Sequence, residues 1–156
     1  MALRIRRAQR TDVPALVSLL ADDDLSRGRE QAGSTIPDAY WRAFDAIDAD
    51  DRQLLVAAEL DGVIVGTLQL SFIPYLTYQG RERAQIEAVR VASASRGAGI
   101  GRRMLEWAIE QAHLRGCHLV QLTMDKRRTG ARRFYESLGF EATHEGYKLR
   151  VDGART

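Results

Sequence analysis

Near the start of the chain, Leu3 and Ile5 alternate with Arg4 and Arg6, which predicts a strand over residues 3–8 with one face buried. The spacing then lengthens. Val13, Leu16, Val17, Leu19 and Leu20 recur at helical intervals behind Thr11, a good N-cap, and the stripe ends near the acidic run Asp22–Asp24. Residues 23–36 mix glycine, serine and charge without a period and read as a mobile loop. Pro37 suits a first helical turn, and Ala39, Tyr40, Ala43, Phe44 and Ile47 carry a second helix to about Asp48.

Two apolar runs follow, 53–60 and 63–72, joined by Asp61-Gly62, so they are antiparallel partners in a hairpin. Pro74 and Gly80 bound a polar, aromatic connection. The next strand, 83–92, is apolar at Ile86 and Ala88 and then, after a change of phase, at Val89 and Val91, which implies a local irregularity. Ile100, Met104, Leu105, Ala108, Ile109 and Ala112 mark a helix of about 99–114 that Gly116 closes. His118–Met124 is a strand, with Val120, Leu122 and Met124 on one face. Arg128–Leu138 is a short helix with Phe134, Tyr135 and Leu138 inward, stopped by Gly139. Phe140–Val151 supplies one or two last strands, and Asp152–Thr156 is a frayed tail. The order β-α-α-β-β-β-α-β-α-β gives an α/β sheet, antiparallel at first and parallel across the glycine-loop helix. Residues 1–151 are expected to form a single domain, with 152–156 as its tail.

Composition narrows the class. With 156 residues, 45% hydrophobic and 28% charged, the chain is sized for one folded domain with a real core. No apolar run is long enough to cross a bilayer, the first residues lack the apolar core of a secretion signal, and the single cysteine, Cys117, fits a reducing compartment, so a cytoplasmic location without membrane partners is expected. A net charge of +2 is too small to argue for nucleic acid. Its distribution says more: acids crowd the first part (Asp22, Asp23, Asp24, Asp38, Asp45), arginines the later part (Arg90, Arg96, Arg102, Arg128, Arg132). One half suits a cation and the other a polyanion, although two solvated faces would look the same.

Between the strand at 83–92 and its helix lies Arg96-Gly97-Ala98-Gly99-Ile100-Gly101, followed by Arg102. Glycines at alternate positions let backbone amides converge where a helix begins, and unpaired first-turn N–H groups with the helix dipole make an anion site, for which phosphate is the natural ligand. Arg96 and Arg102 add charge. A dinucleotide fingerprint would need glycine where Arg102 stands, and a Walker loop would need Gly-Lys-Ser/Thr, so both fail. A tight strand-to-helix connection with no ligand remains the alternative to a phosphate loop.

The pattern Arg-x-x-Gly-x-Gly resembles the pyrophosphate loop of the Gcn5-related N-acetyltransferases (GNAT). A second element, Ala131-Arg-Arg-Phe134-Tyr135-Glu-Ser-Leu138-Gly139-Phe140, is similar to that family's C-terminal Ala-x-x-x-Tyr-x-x-x-Gly-Phe, and the resemblance covers essentially the whole chain. It implies a GNAT acyl-CoA N-acyltransferase fold, a mixed central sheet with an antiparallel N-terminal part and a parallel pair of fourth and fifth strands around the glycine-loop helix. It also implies acetyl-CoA as co-substrate. Val89, Arg90 and Val91 are assigned to the pantetheine arm and thioester, mostly through backbone. Arg96, Gly97, Ala98, Gly99, Ile100, Gly101 and Arg102 are assigned to the pyrophosphate, with Phe134 a further contact. The commoner family pattern has asparagine at the position of Arg128, which could instead serve a phosphate or face water.

For catalysis the resemblance offers Glu87 as base and Tyr135 as the acid that protonates the coenzyme sulfur. A salt-bridge partner and a core aromatic are their bland alternatives. Cys117 and its neighbours His113 and His118 fit neither a nucleophile nor a metal pattern, so no metal is expected. The acceptor is expected to be a small cationic amine, drawn by Asp22–Asp24, Glu30, Tyr40, Trp41, Tyr75 and Tyr78. A protein N-terminus or lysine as acceptor, and an acetyl-CoA-binding sensor or interaction module without turnover, stay open. A homodimer is compatible with the sequence.

Overall fold

The computed structural model describes residues 2–26 and 28–153. Residue 27 of the expected loop and residues 154–156 of the expected tail lie outside that range. The chain divides into two compact units, Met1–Leu122 and Thr123–Thr156.

The first unit is a five-stranded sheet in the order β1-β2-β3-β4-β5, with β1 Leu3–Arg7, β2 Gln53–Leu60, β3 Val63–Pro74, β4 Glu82–Val91 and β5 Leu119–Leu122. All pairs are antiparallel except β4–β5, which is parallel. Helices α1 (Val13–Ala21) and α2 (Asp38–Asp48) precede the Asp61-Gly62 hairpin, and α4 (Ile100–Arg115) is the crossover between β4 and β5. A single turn, α3 (Thr77–Gly80), lies between β3 and β4, and its Tyr78 and Gln79 have φ of 53° and 62°. The mixed α/β architecture and the parallel crossover match the sequence reading.

The two faces of the sheet bury different things. Leu54 and Val56 of β2, Leu68, Leu70 and Phe72 of β3, and Ala84 and Ile86 of β4 share one face by register, and all are buried. Ile100, Met104, Leu105, Ala108 and Ala112 of α4 are buried with them. Gly66 lets α4 approach: a Cβ there would stand 2.5 Å from Met104 Sδ. On the other face, Ala57 joins Ala8, Val13, Leu16, Val17, Leu19, Ile36 and Phe44 in a core under α1 and α2. At its far end α4 closes on Gly116 (φ 85°), whose N–H donates to His113 O while Cys117 N–H donates to Ala112 O.

Three local expectations change. Thr11 is not the N-cap of α1: a 3-10 turn, Arg10–Asp12, comes first, and Asp12 reaches back to accept the Gln9 N–H at 2.7 Å. The Asp12 carboxylate also takes Arg6 at 2.7 Å, and it is this doubly used acid that organises the entry. In the second unit, α5 (Ala131–Ser137) is present, but residues 140–150 form no strand. Tyr147, Leu149 and Val151 are exposed, so the alternation there meets no ladder partner among the described residues. The strand expected over His118–Met124 is Leu119–Leu122, with Val120 and Leu122 registered on the buried Ala84 and Ile86.

Candidate functional site

The site is built around one irregularity in β4. Thr67 pairs with Arg90 and Gln69 with Glu87, so two steps on β3 face three on β4. The extra residue is accommodated at Ala88, whose φ is 54°. Before this bulge the even residues Ala84 and Ile86 face α4. After it Val91 does, opposite Gly66. The change of phase read between Ala88 and Val89 is this bulge.

Glu87 precedes the bulge directly and is exposed, on the face opposite α4 and in register with Gln69. Pairing of β4 with β5 ends at Ile86–Leu122, so Glu87–Val91 runs on past the last β5 partner. That leaves one backbone edge of the segment without a strand from the first unit, the condition an extended ligand needs to pair with it. Arg90 turns its side chain away from that edge. Its guanidinium meets Asp23 at 3.2 Å and donates to Val89 O at 2.9 Å.

Val91 leads through a short 3-10 turn, Ser93–Ser95, into the glycine loop. Gly97 and Gly99 have φ of 82° and 77°, the left-handed region where a side chain is costly. Gly99 is the N-cap of α4, and no side chain caps that end. The first-turn amides at Ile100, Gly101 and Arg102 therefore have no intrahelical acceptor, and the helix dipole adds positive potential. Arg96 is exposed and donates from Nε to Val91 O at 3.2 Å, while Arg102 reaches Glu106 one turn on at 3.4 Å. The arrangement suits a polyanion held largely by main-chain N–H groups.

The remaining expected residues belong to the second unit. Tyr135 is half-buried on α5, its ring edge-on to Phe134 (5.2 Å) and Phe140 (6.0 Å). The Arg128 N–H donates to Asp125 O at 3.0 Å. Arg127 beside Asp125 holds that carboxyl well below the usual carboxylate range.

Several groups weighed as chemistry are engaged structurally. Asp23 is paired with Arg90, and Glu30 with Arg29 and the Tyr40 hydroxyl, so these acids offer less to a cation than their clustering promises. Burial first, then Glu82, pushes the Cys117 thiol up, opposite to what a nucleophile needs. Among the described residues no group of His, Cys, Asp and Glu could hold a metal ion, and no helix is long and apolar enough to cross a membrane.

Sequence reasoning passed over a polar row on the face that carries Glu87. Gln53, Ser71, Gln85 and Gln121 are successive register partners across β2, β3, β4 and β5. The available signal was glutamine or serine at every second position of strands whose intervening residues are apolar, as in Gln69-Leu70-Ser71 and Gln85-Ile86-Glu87.

Residues 16–140 match the model of the acetyltransferase (GNAT) family. The chain is 26% identical over 144 residues to an uncharacterised N-acetyltransferase of Archaeoglobus fulgidus, covering 92% of this chain and 97% of that protein. Among solved structures it is similar to a transcriptional regulator from Bacillus halodurans C-125, with 51% identity and a TM-score of 0.94 over 96% of this chain and 100% of that one. It also resembles a predicted acetyltransferase from Clostridium acetobutylicum solved with acetyl-CoA, with 25% identity and a TM-score of 0.74 over 99% and 100% of the two chains.

Proposed function

Because the chain belongs to the acetyltransferase (GNAT) family, and is thus an acetyl-CoA-dependent N-acetyltransferase, we propose that it moves the acetyl group directly to the primary amine of a small, cationic acceptor with Glu87 as base. The observation that carries this reading is the β4 bulge, which leaves an exposed carboxylate at Glu87 directly ahead of a strand edge that runs into an uncapped glycine-loop helix. In this reading residues 1–151 work as one catalytic domain, consistent with a family match that extends across both compact units.

The roles follow from the chemistry. First-turn amides of α4, with Gly97, Ala98, Gly99, Ile100 and Gly101, hold the diphosphate of acetyl-CoA, helped by Arg96 and Arg102. Val89, Arg90 and Val91 pair through their backbone with the pantetheine arm, and an N–H of that segment donates to the thioester carbonyl oxygen as charge develops there. Glu87 takes a proton from the acceptor's ammonium group, directly or through one water, so that the nitrogen lone pair can bond to the acetyl carbon as the carbon–sulfur bond breaks. Tyr135 gives its hydroxyl proton to the departing sulfur and is restored by the second proton that the nitrogen sheds as the amide forms, with Phe134 beside it against the coenzyme. Arg128, where the family more often has asparagine, serves a phosphate. Replacing Glu87→Gln should lower kcat by about 10²–10⁴ and leave the affinity for acetyl-CoA unchanged. Unchanged turnover would remove Glu87 from the mechanism.

A second reading, an acetyl-CoA-binding sensor or interaction module with little catalysis, is favoured by the 51% identity to the Bacillus halodurans transcriptional regulator. Calorimetric binding of acetyl-CoA with no release of coenzyme A on any amine, peptide N-termini and lysines included, and no effect of Tyr135→Phe, would decide for it.

A further inference from the structure

The polar row beside Glu87 has a pattern that surface solvation does not require. Gln53, Ser71, Gln85 and Gln121 lie at one level across four adjacent strands, a line of roughly 14 Å at the usual strand spacing. One level further along, Gln69 stands opposite Glu87. These five polar residues are all half-buried and uncharged, and on β4 the row lies between the charged Arg83 and Glu87 of the same face. Directly behind them Leu54, Leu70, Phe72, Ala84 and Ile86 are sealed against solvent.

The glutamines are linked in two groups, and each keeps one end of its carboxamide for something else. Gln69 Nε2 and Ser71 Oγ both donate to Gln53 Oε1, at 2.9 and 2.8 Å, and Gln121 Nε2 donates to Gln85 Oε1. Gln53 Nε2 and Gln85 Nε2 are left as donors, and Gln69 Oε1 and Gln121 Oε1 as acceptors, with no protein partner among the described residues. None of the four atoms is cut off from solvent. The row offers carboxamide donors and acceptors side by side.

We propose that this row is the floor on which the body of the acceptor lies, and that the acceptor is a small amine carrying several neutral hydroxyl or carboxamide groups. The assignment rests on the reading that Glu87 marks the amine end. Gln69 is one strand spacing from Glu87 and Gln85 is two residues from it, so the first polar groups of the acceptor fall about 5–7 Å from its nitrogen. A hydroxyl both donates and accepts, and a chain of hydroxyls satisfies Gln53, Gln69, Gln85 and Gln121 together. A second ammonium group only donates and leaves the glutamine N–H groups unpaired on contact; a carboxylate only accepts and leaves the glutamine carbonyls unpaired. The row thus selects against both charged alternatives by the same mechanism.

Three linear amines of equal carbon number test this: 1-amino-1-deoxysorbitol, 1,6-diaminohexane and 6-aminohexanoate. The polyol should be preferred in kcat/KM by at least about tenfold over each of the others. Gln85→Met and, at the sheet edge, Gln121→Met keep side-chain length and remove the hydrogen bonds. Each should raise KM for the polyol by about tenfold with kcat and acetyl-CoA affinity retained, and leave the diamine unaffected. A purely structural role for the row would move all three amines alike. As a readout independent of turnover, the side-chain NH₂ resonances of Gln53 and Gln85 should shift when the polyol is added to protein saturated with coenzyme A. Equal or better use of the diamine, or an unchanged KM in both variants with unmoved resonances, overturns the proposal while leaving the acetyltransferase intact. Shifted resonances without turnover of any amine keep the floor and remove Glu87 chemistry. Neither shift nor turnover removes both.

Discussion

Gly101 separates what the glycine loop does for the fold from what it does for the ligand. It is the second residue of α4, and unlike Gly97 and Gly99 it does not have a positive φ, so an alanine can adopt its conformation. Gly101→Ala should stabilise the protein, because glycine costs a helix about 0.5–1 kcal/mol relative to alanine, and less in a first turn. For a chain of this size that raises the melting temperature by about 1–4 °C. The same methyl group lies among the first-turn amides proposed to hold the diphosphate, and pushing that group out by the width of a methyl should weaken acetyl-CoA binding more than tenfold, about 1.4 kcal/mol. Gly116→Ala, at the other end of α4, is the control. Its φ of 85° makes alanine cost roughly 1–2 kcal/mol of strain, with nothing within 4 Å of the new Cβ, and acetyl-CoA affinity should not change. Thermal melts and calorimetric titration of both variants give opposite signatures. A Gly101→Ala protein that melts higher and binds acetyl-CoA as tightly as the parent would refute the claim that these amides hold the diphosphate.

Gly66→Ala should destabilise by about 1–3 kcal/mol, since its Cβ would stand 2.5 Å from the fully buried Met104 Sδ and 3.3 Å from Arg90 O; an unchanged urea midpoint would mean that α4 does not rest on Gly66. Asp12→Ala should cost about 1–3 kcal/mol at neutral pH, by leaving the Gln9 N–H without an acceptor and reducing Arg6 from two carboxylate partners to Glu59 alone. Arg6 holds the Asp12 carboxyl below its ordinary 3.8, so its contribution is complete above that pH and disappears as pH falls through the lower, folded value; the gap between parent and variant should narrow only below about pH 3.8. A gap constant down to pH 2 would contradict the pairing. The Cys117 thiol, pushed up by burial, should react with iodoacetamide at pH 7.5 more slowly than a free cysteine in the same buffer, and a matching rate would show it to be open.

The parts of this molecule legible in its sequence are those encoded over a few residues. Asp61-Gly62 between two apolar runs gives the β2–β3 hairpin, and Gly116 the end of α4. The Gln53–Ser71–Gln85–Gln121 row was not legible, because it needs the register of four strands, and a local pattern reports only which face a residue occupies. The link of the Tyr75 hydroxyl to His118 joins residues far apart in the chain and was invisible for the same reason. The left-handed turn at Tyr78 and Gln79 contradicts the ordinary preference of both residue types, so propensity could not find it. Residues 140–150 failed in the other sense: their alternation is real, but alternation makes a strand only where a partner strand supplies the hydrogen bonds.

The bulge at Ala88 shows why one irregular residue was nonetheless readable. If β4 ran regularly from Ile86, Ala88 and Arg90 would follow Ala84 and Ile86 onto the face packed by α4, and a guanidinium would enter a core lined by Gly66 and Met104. Burying it there without a partner costs several kcal/mol, whereas a left-handed alanine costs about 1–2. The inserted residue exchanges the larger cost for the smaller. Val91 takes the core position opposite Gly66, and Arg90 comes to lie with Thr67 on the other face, within 3.2 Å of Asp23. The switch from apolar even to apolar odd positions therefore sets the bulge through the energy of placing Arg90. The exposure of Glu87 and the extension of β4 beyond its last β5 partner accompany that solution at the same point of the strand.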